Sequence, residues 1–379
     1  MILNATLGAL ALLSLVLLLW QWLVATRFPL HQRATQAGRF APALTLLKPL
    51  KGCDESTEAC LRSWVVQAYS GKLQILFGVA SAEDPVCEIV RRLLAEFPNL
   101  DARLVICGPL QGANLKVAKL RELERLARHE VLVISDADVL VPPDFLANFV
   151  RPLQKPEVGL VNCFYRLANA STWAMGWEAV AINADFWSQV LQSQSLKPLD
   201  FALGAVMATR RQQVQEFGGF AALADCLADD YQLGHRIAGR GHRIALSTVV
   251  AECWSEPMNW AAVWKHQLRW ARTIRVCQPL PYFFSVLSNP TFWPLLWFAA
   301  YPDKTAVVFV VSCGLVRMWS ARDLQQRLMQ AHVSWCGAWL TLVKDLLQIA
   351  IWLQAFLGNR IEWRGERMRL RRDGTLVPE

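Results

Sequence analysis

The sequence lacks several motifs that would assign it to common classes of protein. None of its ten cysteines forms a C-x-x-C pair, which favours reduced core thiols over a zinc site or disulfides. No G-x-G-x-x-G or G-x-x-x-x-G-K-[ST] follows the first predicted strand, so a dinucleotide-binding fold and a P-loop are both disfavoured. No nucleic-acid motif accompanies the net charge of +8, and nucleic acid is not an expected partner.

Formal charge is also absent from Ile2 to Val24, an apolar run long enough to span a bilayer. Two tryptophans near its end are typical of a membrane interface, which favours an uncleaved anchor at residues 1–26 over a signal peptide. Basic residues follow at Arg27, Arg33 and Arg39. By the positive-inside rule, the domain that comes next is expected in the cytoplasm.

Between residues 40 and 253, short apolar runs alternate with helical patterns. This alternation predicts an α/β fold with a largely parallel sheet, in which ligands bind beyond the carboxyl ends of the strands. The predicted strands are LTLLKPL, LQILFGVA, ARLVICG and VLVISDADV, and the predicted helices between them are CLRSWVVQAY, VCEIVRRLLAEF and LKVAKLRELERLA.

The pattern changes after residue 253. Residues 254–280 predict a basic amphipathic helix at a membrane surface, residues 281–358 contain membrane helices, and residues 359–379 form a basic cytoplasmic tail suited to anionic lipid headgroups. The apolar stretches are Tyr282–Tyr301, Thr305–Trp319 and Trp335–Leu357. Three crossings would put the tail on the wrong side, so either the proline-broken first stretch or the third, which contains Lys344 and Asp345, does not span.

One apolar run, VLVISDADVL, ends in two carboxylates, Asp136 and Asp138. Its β-branched residues predict a strand buried on both faces. Because a buried charge is costly unless compensated, either the chain reaches water at Ser135 or the carboxylates face a cation. A D-x-D triplet alone is most often a solvated strand end.

Three further groups of charged residues occur at well-separated places in the chain. Asp84 directly follows a predicted strand, Asp229 and Asp230 lie in LADDY, and HQLRW covers His266 to Trp270 on the amphipathic helix. Each is a weak signal alone. Their order behind a membrane anchor is a strong signal.

With these motifs the sequence resembles the membrane-bound GT-A glycosyltransferases, and most closely the ceramide glucosyltransferases with their bacterial relatives in hopanoid biosynthesis. The resemblance covers roughly residues 40 to 280. The matching motifs are LLKPLKG, Asp84-Pro85, FPNLDARL, GANLKVAKL, SDADV, PEVGLV, LADDY and the Arg-Trp of HQLRW.

The resemblance implies an inverting enzyme with a GT-A-type, Rossmann-like cytoplasmic domain flanked by membrane helices. It implies transfer of glucose or N-acetylglucosamine from a UDP-sugar donor to a membrane lipid hydroxyl, with ceramide or a hopanoid polyol as acceptor and Mn²⁺ or Mg²⁺ as cofactor. The expected location is the bacterial inner membrane. Two alternatives remain open: a processive polysaccharide synthase, which is expected to need more spanning helices, and an inactive membrane scaffold on the same fold.

On the donor side, the resemblance implies Asp138 as the metal ligand and Asp136 as a contact of the nucleotide ribose or of the metal's outer shell. Asp84 would bind the nucleotide base, although an aspartate before a proline also suits a helix N-terminus. Lys116 matches a position near the nucleotide, and a solvated lysine at a helix start is the alternative.

On the acceptor side, the resemblance implies that Asp230 is the general base that takes the proton of the attacking hydroxyl. Asp229 is more simply interpreted as a helix cap. Arg269 would bind the diphosphate through its planar fork, and Trp270, also assigned to the nucleotide-sugar site, would line the acceptor channel or stack on a sugar. His266 departs from the Gln or Arg of the family motif, so its role stays open, with a pH-sensitive contact to the diphosphate as one alternative.

Overall fold

The computed structural model of the protein describes residues 1–33, 40–363 and 366–378. Arg39 and Arg364, which contribute to the basic segments discussed above, lie outside the described residues. The helices and strands of the α/β region follow the predicted alternation. They are α1 (Ile2–Arg27), β1 (Leu44–Pro49), α2 (Thr57–Val65), β2 (Leu73–Val79), α3 (Val86–Glu96), β3 (Asp101–Ile106), α4 (Leu115–Leu126), β4 (Val131–Ser135), β5 (Val139–Leu140), α5 (Phe145–Phe149), β6 (Val158–Leu167), α6 (Trp173–Val180), α7 (Trp187–Leu196), β7 (Val206–Arg210), α8 (Arg211–Gln215), α9 (Asp229–Ala238) and β8 (Arg243–Cys253).

Strands β1 to β8 form one sheet in the order β3-β2-β1-β4-β7-β6-β8-β5. The pairs β3-β2, β2-β1, β1-β4 and β6-β8 are parallel, as predicted, and the pairs through β7 and β5 are antiparallel. Every residue of β1 and β4 is buried, which explains why both strands are rich in apolar residues. The predicted α/β fold is confirmed, with a mixed rather than a largely parallel sheet.

A long helical segment, residues 173–196, connects the sheet to the membrane helices. It consists of α6, a π-helical turn at Ala181–Phe186 and α7. Turns of this kind are rare and are frequent at functional sites. In this turn Asn183 bonds both the amide and the carbonyl of Leu167 at the end of β6. The sequence of this segment predicted no structure, because its polar residues interrupt the apolar pattern.

After the sheet, the chain forms α10 (Trp260–Cys277), α11 (Pro279–Phe284), α12 (Phe292–Ala300), α13 (Lys304–Met329) and α14 (Leu340–Phe356). Three helical segments are long and apolar enough to cross a membrane: Ile2–Arg27, Lys304–Met329 and Trp335–Phe356. The proline-broken stretch instead forms the short helices α11 and α12. Among the described residues, two candidate spans therefore follow the α/β region, the even number that the predicted topology requires.

The predicted basic tail is folded rather than extended. It forms the antiparallel strands β9 (Arg360–Trp363), β10 (Glu366–Leu370) and β11 (Leu376–Pro378). Ile361, Leu370 and Leu376 are buried against Leu227, so apolar residues between the arginines supply a small core that net charge conceals. The amide of Leu376 donates to the carbonyl of Asp225 at 2.7 Å, which joins this sheet to the loop before α9.

Four buried charged side chains join the π-helical turn to the candidate spans. Arg317 of α13 donates to Asp185 at 2.9 Å and to both carboxylate oxygens of Asp345 at 2.8 and 2.9 Å. Lys344 Nζ lies 2.5 Å from Asp185, and Thr291 donates to Asp345 at 2.7 Å. Two positive and two negative charges balance, which explains why Lys344 and Asp345 occur within an apolar helix.

We expect Arg317→Ala to destabilise the protein strongly, because it leaves Asp185 and Asp345 buried with one cation between them. Breaking a buried ion pair in this way costs about 3–5 kcal/mol. Thermal unfolding of the detergent-solubilised protein measures the effect. Arg327→Ala, at the exposed end of the same helix, breaks an ion pair that is worth about 1 kcal/mol or less and is the matched control. Equal melting temperatures for the two variants would contradict a structural role for the cluster.

Candidate active site

The two carboxylates of the D-x-D triplet lie just beyond the end of β4. The amide of Asp136 donates to the carbonyl of Ala205 at 3.2 Å, and the amide of Trp254 donates to the carbonyl of Asp138 at 3.0 Å. The backbone is therefore fixed on both sides by neighbouring segments. Asp138 is exposed to solvent. The alternatives for this triplet were a solvated strand end and carboxylates that face a cation, and this geometry is compatible with the second.

Lys116 connects the D-x-D triplet to the Asp229-Asp230 pair. Its Nζ lies 2.7 Å from Asp136 Oδ1 and 3.0 Å from Asp229 Oδ2, and its side chain is buried. The side chain of Asn114 starts α4 by accepting from the amides of Lys116 and Val117, which fixes the first turn of this helix. Because Lys116 is buried between two carboxylates, it is not the solvated helix-start lysine that remained an alternative.

A second lysine, Lys48 of β1, lies beneath the triplet inside the sheet. Its Nζ donates to the carbonyl of Asp136 at 2.5 Å and to the hydroxyl of Ser135 at 3.3 Å. It also lies 5.1 Å from the centroid of the Trp64 ring, a cation–π contact. Burial lowers the pKa of Lys48 to about 8, so the ammonium is still mostly charged at neutral pH.

The electrostatics of Asp138 favour a bound cation. Desolvation of the Asp138 carboxyl and the charge of Asp136 raise its pKa to about 6, although Asp138 is exposed to solvent, so a nearby cation would stabilise the ionised form. Within the described residues, no group of three His, Cys, Asp or Glu side chains is arranged to hold a metal by itself. Mg²⁺ commonly uses one or two carboxylates together with substrate phosphates and water, and Asp138 fits that mode.

Asp230 lies at the start of α9, and its carboxylate packs closely against Gly204. Its Oδ1 accepts from the amide of Tyr231 at 2.8 Å. A Cβ on Gly204 would lie only 2.6 Å from Asp230 Oδ2, so this close approach requires glycine. Desolvation and the neighbouring charge of Asp229 raise the pKa of Asp230 to about 6. Asp230 is therefore a stronger base than an ordinary aspartate, and it is still mostly ionised at neutral pH.

The contacts of Asp229 and Asp84 test whether each residue acts as a helix cap. Ala228 is the N-cap of α9, and Asp229 is the first residue of the helix with its carboxylate bound to Lys116, so the interpretation of Asp229 as a cap is wrong. Asp84 accepts from the amide of Val86 at 3.1 Å at the start of α3, as a cap does. Its carboxylate also accepts from the amide of Gly52 at 3.0 and 3.1 Å, which ties α3 to the loop after β1.

The HQLRW motif lies on α10, which packs on α6 and α14. The Trp270 ring lies 6.0 Å from Phe186 of the π-helical turn and 4.9 Å from His266. Arg269 is half-buried one turn before Thr273, whose hydroxyl donates to its carbonyl at 2.8 Å. His266 Nδ1 lies 2.5 Å from the buried carboxylate of Glu178.

Three residues of this site were missed in the sequence: Lys48, Gly204 and Glu178. Lys48 lies within the LLKPLKG motif, where one charge in an apolar strand was the available signal. Gly204 and Glu178 lie in the segment whose pattern predicted no structure. Their importance depends on contacts with α9 and α10, which are distant in the chain, and such contacts leave no local periodicity.

Comparisons with known proteins agree with this geometry. The sequence model of Glycosyl transferase family 21 matches residues 6–376. Ceramide glucosyltransferase 3 of Caenorhabditis elegans is 21% identical over 364 residues, which cover 93% of this chain and 78% of that protein. Ceramide glucosyltransferase 1 of the same organism is 26% identical over 216 residues, which cover 55% of this chain and 44% of that protein.

A solved structure supports the fold. The mannosyltransferase PcManGT from Pyrobaculum calidifontis, determined in complex with GDP-Man and Mn²⁺, matches with a TM-score of 0.56 and 22% sequence identity. The match covers 91% of this chain and 99% of that chain. At this identity the likeness establishes the fold and leaves the substrates open.

We expect Gly204→Ala to displace the Asp230 carboxylate, because the new methyl group would lie within 2.6 Å of Oδ2. A misplacement of about 1 Å at a reacting group can lower turnover roughly a hundredfold. The rate of sugar transfer should therefore fall while donor affinity is retained. Gly108→Ala, where a Cβ meets nothing within 4 Å, is the matched control. Wild-type turnover in Gly204→Ala would show that the position of Asp230 is not critical.

Proposed function

The chain belongs to glycosyl transferase family 21, and on that premise we propose that it transfers glucose or N-acetylglucosamine from a UDP-sugar to the hydroxyl of a membrane lipid. The acceptor would be ceramide or a hopanoid polyol. The observation that carries this proposal is the arrangement of Asp136, Asp138, Asp229 and Asp230 around Lys116, beside helices able to span a membrane. We place the enzyme in the bacterial inner membrane with its α/β domain in the cytoplasm.

The charges of the site support a diphosphate donor with a divalent cation. The carboxylates of Asp136, Asp138, Asp229 and Asp230 lie near the ammonium groups of Lys48 and Lys116 and outnumber them, and a diphosphate would add further negative charge that a divalent cation would offset. Mn²⁺ or Mg²⁺, when bound with the donor, would neutralise the charge that develops on the diphosphate leaving group. Asp138 is the proposed ligand. Asp136, held by Lys116, would contact the ribose or the outer coordination shell.

The other donor contacts are proposed from the family motif. Asp84 has its carboxylate at the loop after β1 and would bind the nucleotide base. Arg269 would bind the diphosphate, for which the fork of a guanidinium is suited. Trp270 would line the acceptor side, where its ring continues into that of Phe186.

Asp230 is the proposed general base. As the lipid hydroxyl attacks the anomeric carbon from the face opposite the diphosphate, a new C–O bond forms and the bond to the phosphate oxygen breaks. The hydroxyl proton passes to the Asp230 carboxylate. The raised pKa of Asp230 makes this carboxylate a better proton acceptor. Attack from the opposite face inverts the anomeric centre, so an α-linked donor yields a β-glycoside.

The membrane helices favour a lipid as acceptor over a growing polymer. Three helical segments in the described part of the chain are candidate spans, and residues 173–196 connect them directly to the site. A soluble donor and an acceptor held in the bilayer would meet at this junction. A processive synthase would be expected to have more spanning helices to line a polymer channel.

A competition assay tests the proposal. Purified protein in detergent with Mn²⁺ is given UDP-glucose and UDP-N-acetylglucosamine, together with ceramide and a hopanoid polyol, and the lipids are analysed by mass spectrometry. We expect one glycolipid product whose formation stops when the metal is chelated. Asp230→Asn, which keeps the shape of the side chain, should bind donor normally and lower transfer by at least about 10²-fold.

The outcomes separate the alternatives. Polymer formation without a glycolipid would identify a polysaccharide synthase. Donor binding without any transfer by the wild-type protein would identify an inactive scaffold. Unchanged transfer in Asp230→Asn would remove this residue as the base.

A further inference from the structure

Glu178 carries a buried carboxylate within an apolar part of the molecule. It is 1% exposed and lies on α6 beside a cluster that includes Met175, Trp177 and Val263. Its Oε1 accepts from His266 Nδ1 at 2.5 Å and from Gln267 Nε2 at 2.8 Å. A buried carboxylate placed this way is weak evidence for a purely stabilising role, because an apolar residue would pack there at lower cost.

The carboxylate fixes the orientation of the His266 ring. Because Nδ1 bonds to Glu178, Nε2 is the ring nitrogen that remains to bond a hydroxyl group. Within the described part of the chain, no group bonds to Nε2, and the side chain of His266 is 27% exposed. The pair therefore presents one oriented, accessible polar atom.

A continuous row of rings links this atom to the reaction centre. The His266 ring lies 4.9 Å from Trp270, Trp270 lies 6.0 Å from Phe186, and Phe186 lies 5.4 Å from Tyr165. Burial raises the pKa of Tyr165, and the nearby charges of Asp230, Asp136 and Asp138 contribute to this rise. The pair and the reacting carboxylates thus lie at opposite ends of one aromatic wall.

The wall also extends toward the membrane helices. Trp264 of α10 donates to Gln354 of α14 at 2.8 Å. Trp173 and Trp339 are exposed with their rings 6.1 Å apart, and exposed tryptophans are typical of a bilayer interface. A ligand along this wall would have an apolar body and a polar head, as a lipid alcohol does.

We propose that Glu178 and His266 form a hydroxyl-binding subsite of the lipid acceptor, in which His266 Nε2 hydrogen-bonds to a hydroxyl other than the attacking one. Glu178 acts as a positioning residue through its bond to Nδ1. The subsite makes the enzyme selective for acceptors with a second hydroxyl. This inference rests on the proposed transfer to a lipid, and it assigns to the histidine in the family motif a role on the acceptor side rather than at the diphosphate.

Paired acceptors test the subsite. Ceramide is compared with its analogue that lacks the secondary hydroxyl, and a hopanoid polyol is compared with a hopanoid that carries one hydroxyl. For the wild-type protein we expect kcat/KM to be about five- to tenfold higher for the acceptor with the additional hydroxyl, the usual size of one hydrogen bond. His266→Phe and Glu178→Gln should bring this ratio close to one and raise the acceptor KM, with the donor KM unchanged.

Two further variants sharpen the test. His266→Gln retains a hydrogen-bonding group and should restore part of the selectivity. Lys265→Gln changes the neighbouring exposed residue of α10, which pairs with Glu362, and should leave the ratio at the wild-type value. Melting temperatures close to wild type would show that Glu178→Gln and His266→Phe are folded.

The outcomes distinguish this inference from the proposed function. If folded His266→Phe and Glu178→Gln keep the wild-type ratio, the subsite is wrong while lipid glycosylation stands. A change confined to the donor KM would place His266 at the diphosphate and would also overturn the subsite. If the wild-type protein glycosylates none of the four lipids, the proposed function fails first.

Discussion

The site depends on a buried lysine, Lys116, that holds two carboxylates close together near the end of a central strand. Asp136 and Asp229 come from distant parts of the chain, and both bind the buried ammonium of Lys116. Without this buried cation, the two carboxylates would repel each other and the loops that carry them would tend to separate. One interaction therefore holds the D-x-D triplet, the start of α4 and the start of α9 in a single site. Lys48 supports the same loop from below through the carbonyl of Asp136.

The helical segment at residues 173–196 carries this arrangement to the membrane. Its π-helical turn directs consecutive residues in two directions: Asp185 binds Arg317 and Lys344 of the candidate spans, and Phe186 packs on Trp270 of α10. The small sheet of residues 360–378 joins the other end of α10 to the loop before α9, through Arg272, Arg275 and Leu376. An element from the middle of the chain and one from its C-terminal part thus both help to position α9 and α10 at the site.

Much of the fold could be predicted from the sequence, because buried strands and amphipathic helices have strong local patterns. The strands β1 to β3, the helices α3 and α4 and the membrane helix α1 were predicted close to their observed bounds, whereas α2 begins three and ends four residues earlier than predicted and β4 ends at Ser135, before the D-x-D triplet. The family resemblance is confirmed by the match over residues 6–376. The roles of Asp138, Asp230 and Arg269 remain predictions that the geometry allows.

Other features could not be predicted because they depend on contacts between distant residues. The interpretation of Asp229 as a cap failed because Lys116, more than a hundred residues earlier, binds its carboxylate. The basic C-terminal segment concealed three strands, since a core of a few apolar residues gives a weak pattern among many arginines. Lys344 and Asp345 suggested a break in a membrane helix, whereas Arg317 and Asp185 compensate them inside it.

A double-mutant cycle of Lys116→Met and Asp229→Asn, measured as the initial rate of sugar transfer, tests the central claim most directly. If Lys116 holds Asp229 in place, each single variant already loses the interaction, and the double variant should transfer sugar about as fast as the slower single variant. The coupling energy would then exceed about 1 kcal/mol, as for groups in direct contact. Rate losses that multiply in the double variant would show that the two residues act independently, and would contradict the account.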